Sequence, residues 1–198
     1  MYKKQNEIIK KLTDKQIVQN LYFTQFLLLF LSLILSFILF DRFEDFLNLF
    51  QLKNMTIIYY GIGVALLVII LDSLIFKYAP KYLIDDGGIN EKIFSKRSIL
   101  HIIFLTALIA FSEELLFRGV LQTNLGIWIA SIIFAILHFR YLSKWLLFLM
   151  VMSISFLLGV FYDMTGSLYT TIIAHFLIDL VFAIQIRWQY VNGVKNDE

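Results

Sequence analysis

Six stretches of this 198-residue chain carry almost nothing but apolar side chains. About 20 such residues, wound as a helix, match the hydrocarbon thickness of a bilayer. Inside lipid every backbone N–H and C=O must be bonded within the protein, so only helices and closed barrels span it. Barrel strands alternate apolar and polar residues over roughly ten positions, and these runs do not alternate. The chain is therefore expected to be all-α, a polytopic membrane helical bundle with about six transmembrane helices. The spans are drawn at 21–40, 55–76, 98–121, 127–139, 145–162 and 167–186. The fourth is short, and is expected either to tilt strongly or to continue through the aromatics around Tyr141 and Trp145.

Only 16% of residues are charged and 60% are hydrophobic, against about a quarter charged in an ordinary soluble domain. One integral-membrane domain over 1–198 is expected, with no nucleic-acid partner. The absence of cysteine removes disulfides, thiol catalysis and thiolate metal sites. The first run is too long for a cleaved signal peptide and ends without a small-residue cleavage site, so it reads as a retained anchor.

Orientation follows from where the Lys and Arg residues fall. Fourteen lie before the first span, after the last, or in the second-to-third and fourth-to-fifth connections; Arg42 and Lys53 alone lie in the alternate ones. Both termini are expected to be cytoplasmic. Residues 1–20 form a basic cytoplasmic segment, and 3–20 is weakly amphipathic through Ile8, Ile9 and Leu12. It reads either as lying on an anionic inner leaflet or as a solvated topology signal. Asp85-Asp86-Gly87-Gly88 reads as a turn in the one sizeable loop.

Ionisable residues within a span are expensive, roughly 2.5–3.5 kcal/mol each at the bilayer centre, and are functional candidates by default. The third span holds Glu113, Glu114 and Arg118, the fourth His138, the sixth His175 and Asp179. Asp72, near the end of the second span, is expected to snorkel or to pair with Lys77, and His101 to be interfacial. Glu114 and Arg118 are four apart, acid first, so they share a helix face and can neutralise each other. Glu113 points about 100° away and needs a partner from another span. His175 and Asp179 are again four apart.

Depth gives an independent comparison. Glu113 lies roughly 16 Å from Asn124, His138 roughly 16 Å from Ile127, and His175 and Asp179 about 12 Å and 18 Å from Ser167, at helical rise. All three reference points fall at one membrane face, so three helices deliver acid and imidazole groups to nearly one depth. A carboxylate beside an imidazole in a dry cavity is a general base able to deprotonate water. A second histidine can hydrogen-bond a developing oxyanion. That chemistry suits peptide-bond hydrolysis by activated water. Ser112 has no nucleophile-elbow context. A metal is the competing reading: Glu113, His138 and His175 are ligand types compatible with zinc, with Asp179 as a fourth or supporting group.

The ordered set Glu113-Glu114-Leu-Leu-Phe-Arg118, Phe134-Ala-Ile-Leu-His138 and His175-Phe-Leu-Ile-Asp179 resembles the CPBP (Abi) intramembrane proteases. That family includes the type II CAAX prenyl endopeptidases and bacterial proteins of bacteriocin maturation and self-immunity. The motif-bearing core spans 98–183. The resemblance implies an intramembrane endopeptidase with Glu113 as general base assisted by His138. It makes His175 and residue 179 oxyanion stabilisers and Glu114–Arg118 a structural pair. Family members have been described both as metalloproteases and as metal-free glutamate proteases. Position 179 is Asp where the eukaryotic enzymes have Asn, and an ionised Asp cannot donate to an oxyanion. It is then protonated, orients His175, or binds a metal. Small size and six spans suggest a bacterial cell membrane, with a peptide, leader sequence or membrane-anchored segment as substrate. Two other readings use the same residues: a non-catalytic scaffold or bacteriocin self-immunity protein, and a proton pathway.

Overall fold

The computed structural model describes residues 12–52 and 55–196, and side chains as far as 193. Among them the architecture is helical throughout. Helix α1 spans Asp14–Leu39 and α2 spans Thr56–Tyr78. Helix α3 begins as Ile99–Glu114, continues π-wound over Leu115–Gln122 and closes with Thr123–Leu125. Helix α4 is Ile127–Leu137, α5 Trp145–Thr165 and α6 Leu168–Asn196. Five of these, all but α4, are long and apolar enough to cross a membrane. The chain is an integral membrane protein, and the exposed Phe23, Phe26, Phe30 and Phe37 of α1 form part of its lipid-facing surface.

Helix α1 starts earlier than the hydropathy predicts. The Thr13 hydroxyl and the Gln16 side chain form a reciprocal capping box. Ile17 and Val18 then bury against Ile89, Ile93, Phe94, Ile102 and Leu105. Ile17 and Val18 therefore lie on protein, while Lys15, Gln16, Gln19 and Asn20 are exposed; residues 3–11 of the amphipathic segment lie outside the described residues. Lys96 pairs with Asp14 at 3.0 Å and the Arg187 guanidinium donates to Ser95 O at 2.7 Å. The start of α1, the 85–97 connection and the late turns of α6 thus share one end of the bundle. At the other end Leu49 packs with Leu168 and Tyr162, and Leu168 N–H donates to Leu49 O.

The fourth span is corrected. It neither continues through Tyr141 and Trp145 nor crosses as a tilted helix. Its 11 residues reach about 16 Å, half the hydrocarbon core. At that depth the His138 ring turns back on Phe134 O at 2.9 Å, and a single 3-10 turn, Phe139–Tyr141, follows. The chain reaches the basic end without a regular helix: Lys144 Nζ lies 2.6 Å from Tyr82 O and 3.9 Å from Asp85. Irregular backbone at membrane depth is tolerated where it lines a cavity. Gly126, at φ 84°, makes the reversal from α3 into α4.

Helices α2 and α6 run side by side in the same direction, with Val64, Ala65 and Val68 packed on Ala174 and Ile178. Gly61 permits the approach: a Cβ there would sit 2.8 Å from Thr170 O. The 85–88 turn is as expected, with the Asp85 and Asp86 carboxylates accepting from Gly87 and Gly88 N–H and both glycines at positive φ.

Candidate active site

The π-wound stretch of α3 is buried on every side, from Leu115 through Gln122. It begins one residue after Glu114, and π turns inside α-helices are frequent at functional sites. Across that junction Arg118 Nε–H donates to Glu114 Oε2 at 3.2 Å, with both side chains 0% exposed. Arg118 Nη2 donates to Ser155 Oγ of α5 at 2.9 Å, and the guanidinium lies 5.6 Å from the Phe134 ring centre. These contacts offset the desolvation of a buried charge, which costs several kcal/mol per ion, although Arg118 Nη1 finds no partner among the described residues.

Glu114 does more than balance Arg118. Its other oxygen, Oε1, accepts from His175 Nδ1 at 2.9 Å. A carboxylate accepts, so this contact places the Nδ1 proton and turns Nε2 toward the two other acids. His175 Nε2 lies 4.0 Å from Glu113 Oε2 and 3.6 Å from Asp179 Oδ2. The sequence pairs His175 with Asp179 by spacing and Glu114 with Arg118. The link joining those pairs, between α3 and α6, comes only from the fold.

His138 ends α4 with Nδ1 against the Phe134 carbonyl. A carbonyl can only accept, so Nδ1 carries the proton and a neutral ring presents a bare Nε2. The ring is held between Phe134, at 4.5 Å between centres, and Tyr141, at 6.1 Å.

Glu113, His138, His175 and Asp179 all line one cavity of about 1140 Å³, which reaches the basic end of the bundle. Glu114 and Arg118 stand behind its wall. Three lining residues carried no site role in the sequence reading. Arg140, counted there only for orientation, enters from the turn after His138, its guanidinium donating to Tyr141 OH at 2.6 Å. Gln25 of α1 accepts from Ser112 at 2.6 Å; a lone amide inside an apolar run was the available signal. Asp72 neither snorkels nor pairs with Lys77: it is buried, it lines the cavity, and Lys77 Nζ sits over the Tyr78 ring. His101 bonds Tyr22 OH at 2.9 Å, tying α3 to α1.

The zinc ligand set fits less well. Glu113, His138 and His175 share the cavity, yet among the described residues no three His, Asp or Glu side chains converge as a metal centre requires. With His175 Nδ1 on Glu114 and His138 Nδ1 on its own helix, only the two Nε2 atoms are left as nitrogen ligands, and these do not converge with a third group among the described residues. As placed, these residues do not fit a three-ligand site.

Residues 95–181 match the family described as type II CAAX prenyl endopeptidase Rce1-like. The chain is 57% identical over 175 residues to the uncharacterized protein YpbD of Bacillus subtilis (strain 168), covering 88% of this chain and 93% of that one. No solved structure matches. The chain belongs to the type II CAAX prenyl endopeptidase Rce1-like family.

Proposed function

We propose that this member of a CAAX-protease-like family is an intramembrane endopeptidase that cleaves a peptide bond with water activated by Glu113. The observation that carries the reading is the division of labour between adjacent acids. Glu114 is engaged by Arg118 and His175 at hydrogen-bond distance, while Glu113 lines the shared cavity and its nearest cationic neighbour, His175 Nε2, stands 4.0 Å away.

In this mechanism ionised Glu113 takes a proton from a water in the cavity. The bare Nε2 of His138 accepts that water's second hydrogen and orients its lone pair. The water oxygen attacks the scissile carbonyl carbon. His175, as imidazolium, donates Nε2–H to the oxygen that becomes negative, while Glu114 holds the ring by Nδ1. Glu113 then returns its proton to the leaving amine as the C–N bond breaks. Asp179 is 3.6 Å from Nε2 and acts on the ring rather than on the oxyanion, since a carboxylate has no proton to give. The implied partners are a peptide or membrane-protein substrate and the surrounding bilayer.

The test is cleavage of a peptide library by purified protein in liposomes. General base catalysis contributes about 10²–10⁴-fold, so Glu113→Gln is expected to lose at least about 100-fold in kcat/KM while keeping its Tm. Activity near wild type in that variant sinks the reading. A strong chelator in the same assay is expected to leave cleavage intact, and its loss together with rescue by zinc would favour the metal route.

A further inference from the structure

Asp72 is a buried cavity acid to which the proposed reaction gives no role. It lies on α2 four residues after Val68, which packs on Ile178, and four before Phe76, whose ring is 5.9 Å from that of Phe182. Since α2 and α6 run in the same direction, Asp72 stands at the level between Ile178 and Phe182. That is about one and a half turns beyond His175, roughly 7–8 Å along the axis.

Asp72 is 7% exposed, and what exposure it has faces the cavity. Among the described residues it has no hydrogen-bond donor and no paired cation. The other cavity acids near it are engaged. Asp85 accepts from Gly87 N–H and faces Lys144; Asp86 accepts from Gly88 and Asn90 N–H; Asp179 and Glu113 face His175. An ionised carboxylate without a partner is costly away from water. Here the cavity can hydrate it, and an arriving cation exchanges that water for charge-assisted hydrogen bonds. Phe76, Ile154, Ile178 and Phe182 line the same wall and suit the aliphatic stem of a long basic side chain.

We propose that Asp72 is a specificity residue: it accepts the Lys or Arg side chain of a peptide bound in the cavity. An extended chain advances about 3.3–3.6 Å per residue, so the basic residue sits about two positions from the scissile bond. The assignment rests on the endopeptidase reading for its meaning but has its own binding test.

Short fluorescent apolar peptides, with one lysine moved through each position and a glutamine counterpart for each, are titrated against Glu113→Gln protein in liposomes. The best lysine peptide is expected to bind at least about tenfold tighter than its glutamine counterpart. In the Glu113→Gln, Asp72→Asn double variant, with its Tm verified, that ratio is expected to fall toward one. A ratio near one already in the single variant, or one unchanged in the double variant, overturns the subsite. Cleavage of the same peptides by wild type is scored separately. A lysine preference in binding without cleavage supports the subsite and fails the endopeptidase reading; cleavage without that preference does the reverse. An Asp72→Lys variant is expected to invert the preference toward glutamate-bearing peptides, and an unaltered lysine preference there also counts against the proposal.

Discussion

Glu113 and Glu114 are covalent neighbours with opposite surroundings, and the difference is the 100° step of a helix. Glu114 is 0% exposed between Arg118 and His175, so its removal leaves a buried guanidinium without its counter-ion. Glu114→Gln is expected to destabilise the protein by about 3–5 kcal/mol, read as a fall in Tm in detergent, whereas Glu113→Gln leaves Tm near wild type. Equal losses from the two variants would contradict this division. Ser155→Ala strands Arg118 Nη2 and is expected to cost about 1–3 kcal/mol, with Ser155→Thr retaining part of it. Both measurements concern folding, and neither needs a substrate.

Helix α3 has two windings and α4 only half the length of a span, and these two elements place the site. The π-wound stretch carries Arg118 beneath Ser155 of α5 and sets Gln122 against Gly159 O and Asp163. The early end of α4 leaves His138 at mid-depth rather than at a membrane face. Helix α6 holds His175, and its seat depends on contact with α2 at Gly61. Gly61→Ala is expected to cost about 1–3 kcal/mol through overpacking against Thr170 O, and to lower activity because His175 lies on the displaced helix. A Gly61→Ala protein with wild-type Tm would show that the two helices separate freely. The Glu114–Arg118 contact was legible from a spacing of four. The Glu114–His175 contact was not, because it depends on how α3 and α6 are rotated about their axes.

Across the whole molecule, the two described chain ends and the 77–97 connection gather at one end of the bundle, where the cavity also reaches the surface. From the excess of Lys and Arg in those segments we propose that this end faces the cytoplasm. The chain has no cysteine, so single replacements report without background. A membrane-impermeant maleimide is expected to label Asn124→Cys in intact cells, and Lys96→Cys only after permeabilisation. The reverse pattern would invert the topology and move the cavity mouth to the outer face.

By itself the sequence determined the helical class, the expectation that the ionisable residues of three spans share a level, and the local Glu114–Arg118 pairing. Lipid forces the first, the fixed rise of a helix the second and its fixed turn the third. The tertiary structure decided what those rules leave free: that His175 bonds Glu114 rather than Glu113, that α4 stops at His138, and that Asp72 faces the cavity with no partner among the described residues. Each depends on helix rotation and packing between segments far apart in the chain, where apolar patterning constrains which face is buried but not which buried groups meet.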